Sequence, residues 1–297
     1  MTPVAFKSLT DPEQRIEWLV ENAADLPSQA RIAMAVTKLV NQNSASAAQV
    51  AKTISGDQVL TARVLKMANS AFYGAPRRIS TLTDAIVLLG MRAIRDMAMS
   101  VSCQDLLDRE VHGYSIRRGD LWKHSSCVGF AAQQLARRAK YSVAEEAFVA
   151  GLLHDIGKVI ISHRLSDEFV EITRRSEEQG VAYYDAERMV LGFDHAEIGA
   201  RMCERWNLPP QLVTTIRYHH NPSAQPDSPP LTRIVHLADV LCMMLGIGLG
   251  GDGLRYKLED GVVASLGLDD EAIEQVLSMV IEYAAMDVEQ DTTAPRR

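Results

Sequence analysis

Seven residues of types that bind metal ions stand out in segments with helical periodicity: His124, the doublet His154-Asp155, His195, the doublet His219-His220, and Asp239. Imidazole and carboxylate donors together suit iron, manganese or zinc, and they leave positions open for water and a phosphate. Brought to one point, they would hold one or two ions.

Taken singly, most of these residues have plainer explanations. His124 shares a helix face with Leu121, Cys127 and Val128, where a hydrogen-bonded core histidine is the commoner occupant. His195 falls in the first turn of a helix opened by Asp194; positive charge is disfavoured there, so a neutral imidazole is expected. His219 and His220 end a helix, where the dipole favours protonated histidine, which accounts for one of them but not for a pair. Asp239 has Val235, Cys242 and Met243 as helical neighbours, and a carboxylate on such a face needs a metal or a basic partner such as Arg233. His154-Asp155 lies within GLLHDIGK (Gly151–Lys158), above Ala147, Ala150 and Gly151, whose small size lets helices approach closely. His112, His163 and His236 read as structural, although His236, one turn before Asp239, is placed to support a ligand.

The elements that must position this set read as helices. Apolar residues make up 47% of the chain and aromatics only 6%, which favours packed helices over a sandwich or barrel. In STLTDAIVLLG, Leu82, Ala85, Ile86 and Leu89 share one helix face, Thr81 and Asp84 have capping-box spacing, and Gly90 marks the stop. Breaks are expected at Gly56-Asp57 and near Gly74-Ala75-Pro76, and runs of alternating β-branched residues are missing. Residues 1–110 therefore read as a helical bundle. A polar stretch, Gln104–Asp120, separates it from a second helical region, 111–285, and residues 286–297 read as a polar, disordered tail.

Other signals narrow the function. The net charge is −7 and basic residues occur as scattered pairs such as Arg77-Arg78 and Arg137-Arg138, which weighs against nucleic acid as a partner. Four dispersed cysteines form no CxxC pair and suit reduced thiols in a cytoplasmic protein. The start lacks the apolar core of a signal peptide, and no apolar run is long enough for a membrane span. Gly246–Gly251 formally matches GxGxxG, but a helix precedes it instead of a strand, so it reads as a flexible loop. Asn69-Ser70 reads as a cap and turn.

The order HS, HD-x-GK, H-x-x-x-G, HH and a late D is present as His124-Ser125, His154-Asp155 with Lys158, His195 with Gly199, His219-His220, and Asp239. In this the chain resembles the HD superfamily of metal-dependent phosphohydrolases. Its front half, with ARVLKMANSAFYG followed by ISTLTDAIVLLG, is similar to HDOD proteins. The resemblance implies an all-α fold, with a helical N-terminal subdomain packed on an HD-type helical metal-binding subdomain. It implies a bacterial signalling or regulatory role, with signalling proteins and a nucleotide or other phosphoester as partners. It also implies one or two divalent ions, Fe or Mn ahead of Zn, Mg or Ni. His124, His154, Asp155 and Asp239 would hold the first ion and His195, His219 and His220 the second, with Asp155 bridging. In an active enzyme, Asp155 and Lys158 would be the catalytic pair, Lys158 neutralising a phosphate. Asp120, one turn before His124, matches an extra carboxylate ligand of some HD-GYP phosphodiesterases. The GYP motif itself is missing after His219-His220, which argues against cyclic-di-GMP hydrolysis. The two functions implied are therefore a regulator and a metal-dependent phosphohydrolase.

Overall fold

A computed structural model describes residues 6, 9–23, 28–41, 45–70, 73, 77–142, 144–225, 227, 229–251 and 256–291. The chain forms two compact units. One comprises Met1–Ala24 with Leu107–Val280, the other Asp25–Leu106 with Ile281–Arg297. The first 24 residues, including α1 (Pro12–Asn22), cluster with Leu107–Val280 and not with the helices that follow them in the sequence.

The smaller unit holds α2 (Ser28–Asn41), α3 (Ala47–Ile54), α4 (Gln58–Ala68), α5 (Leu82–Leu89) and α6 (Met91–Leu107), the last residue of which falls in the larger unit. Its helix boundaries follow local chemistry. Ser46 and Gln49 make a reciprocal capping box at α3. Asp57 caps α4 by accepting from the Leu60 N–H at 2.8 Å, and Thr81 caps α5 by accepting from the Asp84 N–H at 3.0 Å. Gly90, with φ at 89°, separates α5 from α6, a conformation that costs glycine little. Val50, Ile54, Leu60, Val64, Ala85 and Ile86 fill the core. The Asn69 side chain donates to the carbonyls of Leu65 and Ile79 at 2.7 and 2.8 Å and accepts from the Ile79 N–H at 2.8 Å. It ties the segment after α4 back to that helix.

In the larger unit α7 (Asp120–Arg138) pairs with α8 (Ala144–Leu153). A Cβ on Gly151 would lie 2.7 Å from Gly129 Cα, so the two glycines set how closely these helices approach. Then follow α9 (Ile156–Arg164), α10 (Ser166–Gln179), α11 (Tyr183–Leu191), α12 (His195–Arg205), α13 (Pro210–Tyr218), α14 (Pro230–Met244) and α15 (Val262–Ser265). Helix α14 packs on α7 and α12 on α9. The final helix, α16 (Asp270–Asp291), continues into the residues read as a tail; 292–297 lie outside the described residues, as do Gly74-Ala75-Pro76.

Among the described residues the only departures from α-helix and loop are short 3-10 turns and one isolated antiparallel bridge, Val111 to Ile116. That bridge lies within the stretch Gln104–Asp120. The stretch begins inside α6, and a 3-10 turn at His112–Tyr114 drives Tyr114 fully into the interior. Among the described residues no helix is long and apolar enough to cross a membrane.

Candidate metal centre

Four helices and two inter-helix turns supply the site. His124 comes from α7 and Asp239 from α14; His154-Asp155 form the turn between α8 and α9, and Lys158 lies in the first turn of α9. His195 opens α12, whose N-cap Asp194 accepts from the Glu197 N–H at 2.8 Å. His219-His220 follow directly on α13. All eight side chains are buried.

They converge as two groups. Asp155, His195, His219 and His220 form one; His124, His154 and Asp239 form the other; within each group the donor atoms lie within 4.8 Å of one another. Asp155 joins them. Its Oδ1 is 3.3 Å from His195 Nε2 and 3.9 Å from His219 Nε2, while its Oδ2 is 3.4 Å from His154 Nε2 and 3.9 Å from His124 Nε2. Asp239 Oδ1 faces His124 Nε2 at 3.0 Å and His154 Nε2 at 3.6 Å, and not Arg233.

Each imidazole turns Nε2 inward. For four of them a partner on Nδ1 fixes that orientation. His124 Nδ1 donates to the Ile247 carbonyl at 3.0 Å, His154 Nδ1 to Gly151 at 2.6 Å and His219 Nδ1 to Ile216 at 2.7 Å. His195 Nδ1 meets Glu187 at 2.8 Å. An Nδ1–H held by an acceptor leaves the Nε2 lone pair as donor to a metal. The His195 and His220 Nε2 atoms stand 2.8 Å apart, a spacing that needs a proton between them or an ion facing both.

Whether the residues fit a metal is tested by atoms that find no hydrogen bond. His154 Nε2, Asp155 Oδ1 and His219 Nε2 are buried without a partner, and all three point into the same space. Orphaned buried donors and acceptors are rare and costly, so three at one point mark a site shaped for an ion. Ligands around one ion at about 2.1 Å lie at most roughly 4.2 Å apart, so each group closes with shifts of a few tenths of an ångström. The fit is good for one ion in each group. Asp120 is half-exposed at the start of α7 and belongs to neither group.

The electrostatics correct two expectations. Burial alone would keep His195 neutral, but the Glu187 carboxylate and a contact with Asp155 outweigh it and raise its pKa to about 9. Burial likewise disfavours the His154 imidazolium, yet Asp155 and Asp239 raise that group to about 10. At His219 burial dominates, reinforced by His154, and lowers the pKa to about 3; His220 is lowered as well. The helix-end dipole therefore charges neither member of the pair. Asp155 and Asp239 stay ionised despite burial, Asp155 through His154 and Lys158, Asp239 through His124 and His154.

Of three supporting features, the first two lie outside the sequence reading. Glu187 on α11, fully buried, accepts from Tyr114 OH at 2.6 Å, from the His195 main-chain N–H at 2.8 Å and from His195 Nδ1. Ile247 and Gly248, in the glycine-rich stretch read as a flexible loop, form a wall of the site. A Cβ on Gly248 would lie 2.4 Å from the Asp120 carbonyl oxygen and 2.7 Å from His124 Cβ. His236 donates from Nδ1 to the His219 carbonyl at 2.7 Å and accepts from the Glu259 N–H at 3.0 Å, which makes it the support its position suggested. His112 is exposed beside Glu110, and the His163 side chain lies outside the described residues.

Lys158 seals the centre. Its Nζ lies 2.7 Å from Asp155 Oδ2 and within 5.5 and 5.9 Å of the Tyr114 and Tyr256 ring centres. A cavity of about 10 Å³ touches Lys158, Asp155 and His124 on one side and Leu121, Met243 and Leu249 on the other. That is room for one water.

A helical fold with a histidine–aspartate centre of this order is that of an HD-type protein. The HDOD domain family model matches residues 26–222, and the chain belongs to the HDOD family. An HDOD domain protein of unknown function from Geobacter sulfurreducens is 29% identical; the match covers 95% of each chain with a TM-score of 0.71. A protein from Shewanella amazonensis SB2B, named as a candidate phosphohydrolase, is 25% identical over 89% of this chain and 96% of its own, with a TM-score of 0.65. An uncharacterized protein of Treponema pallidum (strain Nichols) is 25% identical over 229 residues, 76% of this chain. This chain spans 44% of the length of that curated relative.

Proposed function

We propose that this chain is an HDOD-type regulatory protein of bacterial signalling, whose larger unit holds one or two divalent ions as a structural or sensing element. It acts through contacts with signalling proteins or a bound nucleotide. The observation that carries this reading is the burial of the centre: seven donor residues converge, and among the described residues the space beside them is about 10 Å³, room for one water. Sites that turn over nucleotides open to pockets of roughly 300 Å³ or more.

A second reading, a metal-dependent phosphohydrolase, is favoured by a different observation. Asp155 is shared between the two donor groups, and the Lys158 ammonium lies beside the cavity. Bound ions would supply Lewis acidity and an activated water. Lys158 would neutralise a phosphate oxygen, Asp155 would hold the two donor groups in register, and Leu121, Met243 and Leu249 would exclude bulk water. The candidate phosphohydrolase from Shewanella amazonensis, similar over most of its length, supports this reading.

Elemental analysis of the purified chain, followed by a phosphoester panel with and without Mn²⁺ or Fe²⁺, tests the two. The regulator reading expects bound metal and no turnover. Metal-dependent turnover abolished in Asp155→Ala displaces it in favour of the enzyme. Absence of metal even after reconstitution rules out both the enzyme and the metal element of the regulator.

A further inference from the structure

Helix α1 follows α12 from one end to the other, and both are 11 residues long. At the start, a Cβ on Gly192, just before His195, would lie 2.6 Å from Pro12 Cγ. The Arg15 guanidinium donates to the Leu191 carbonyl at 3.3 Å and stands 5.9 Å from the Phe193 ring centre. Further along, Glu13 pairs with Arg201. At the far end Arg205, the last residue of α12, donates to the Val20 carbonyl, and Arg164, the last residue of α9, donates to the Asn22 carbonyl at 2.9 Å. Carbonyls in the last turn of a helix lack partners within it, so a cationic donor there satisfies both the hydrogen bond and the dipole. The two arginines thus fasten α9 and α12 to each other through α1. Helix α12 carries one donor, His195, which faces Asp155 from across the α9–α12 packing. These contacts fall on α9, the end of α11 and α12; the donors of the other group lie on α7, in the turn after α8 and on α14. The hold on α1 is modest. Ile16 and Leu19 are its buried residues, and the Glu13–Arg201 pair is 52% and 34% exposed, where solvent screens it. A helix of this length is marginal by itself in water.

We infer that α1 is a detachable splint governing one of the two ions. Attached, it holds α12 in place and keeps His195 against Asp155. Released by local opening, it lets α12 shift and weakens the group of Asp155, His195, His219 and His220, while His124, His154 and Asp239 keep their ion. Arg164 and Arg205 are positioning residues, acting through the helices that bear the donors. The coupling is reciprocal: an ion in the His195 group tightens α1 by the same factor. This rests on the metal reading of the site and names its regulation: release of α1 empties one ion and spares the other.

The test is a Mn²⁺ titration of the metal-free full chain, with free Mn²⁺ read by EPR, in the parent and in Arg164→Ala with Arg205→Ala. The variant should hold one ion with a dissociation constant raised roughly tenfold and the other as the parent does. Adding His220→Ala identifies the weakened ion: the triple variant should bind one Mn²⁺ as tightly as His220→Ala alone. Arg164→Lys with Arg205→Lys should restore most of the affinity, since lysine also donates to a carbonyl. Leu19→Ala loosens α1 at a buried contact and should repeat the selective loss. Arg174→Ala, whose partners Glu171 and Glu178 lie within α10, is the control and should change neither ion. Circular dichroism shows whether each variant is folded. The reciprocal readout is amide hydrogen exchange across residues 16–20. Mn²⁺ should slow it roughly tenfold in the parent but not in His220→Ala, which still binds an ion. Loss shared equally by both ions, or by neither, overturns the splint while leaving the metal centre intact. Exchange in α1 that Mn²⁺ does not slow in the parent overturns the linkage. No Mn²⁺ under any condition overturns the metal reading itself.

Discussion

Replacing Gly157 with alanine should damage both the fold and the centre, although the change adds one methyl group and touches no donor atom. The new Cβ would stand 1.9 Å from the His195 carbonyl oxygen and 2.8 Å from Gly199 N. A carbon settles against a carbonyl oxygen at about 3.3 Å or more, so α9 and α12 must part by roughly 1.4 Å. Both obstacles are main-chain atoms, and no side-chain rotation relieves them. Overpacking of this kind costs typically about 1–3 kcal/mol, and the rigidity of both partners places it at the upper end. For a chain of this size that lowers the melting temperature by on the order of 5–10 °C. The same movement carries His195 away from Asp155, 3.3 Å distant in the native packing, and so weakens the group of donors around Asp155. Urea and thermal melts of the metal-free protein read the first effect, and a Mn²⁺ titration reads the second. Gly180→Ala is the control: φ is 65° there with open space around the Cβ, so about 1 kcal/mol should be lost with metal binding unchanged. The reasoning fails if Gly157→Ala melts within about 0.5 kcal/mol of the parent and binds Mn²⁺ equally well.

Asp155→Ala should abolish binding in both donor groups, whereas His220→Ala should leave one Mn²⁺ per chain, as counted by elemental analysis after desalting. Glu187→Gln should weaken Mn²⁺ binding by about 10–100-fold, because the acceptor that orients His195 Nδ1–H is degraded; Tyr114→Phe should cost less. Metal affinity should rise steeply with pH. With His154 at about 10 and His195 at about 9, both are protonated in the metal-free centre at neutral pH, and an ion must displace those protons. His154 and His195 lie in different donor groups, so each ion displaces one of these protons and its apparent affinity gains up to roughly tenfold per pH unit between about pH 6 and 8. Calorimetry in buffers of different ionisation heat counts the protons released. In the smaller unit, Asn69→Ala leaves the Ile79 N–H and carbonyl without their side-chain partner and should cost about 2–3 kcal/mol in a urea melt.

The donors were legible in the sequence because their order carries what no single residue does. His124 alone reads as a core histidine, and only with His154-Asp155 and Asp239 does it read as a ligand. The caps at Thr81 and Asp194 were legible too, since they depend on contacts three residues away. What stayed hidden depends on long-range contact. Glu187 lies in YYDAERMVL, an ordinary amphipathic helix, and nothing local says that its carboxylate meets His195 and Tyr114. Tyr114 sits in a polar stretch that periodicity marks as a connector. Glycines at 246–251 signal freedom of the backbone, whereas Gly248 is there because α7 leaves no room for a side chain. The charge of His195 was misjudged because a helix dipole, worth about 0.3–1 kcal/mol near a surface, is weaker than a buried carboxylate at 2.8 Å.

Burial of the donors has a consequence for time as well as affinity. His154, His195 and His219 expose none of their surface, and His124, Asp155 and Asp239 expose 5% or less. An ion held by donors so buried would exchange with bulk water mainly when the surrounding helices open locally. Exchange is then paced by the protein rather than by the metal. Whatever ion is enclosed as the larger unit folds becomes a long-lived record of the metals present at that moment.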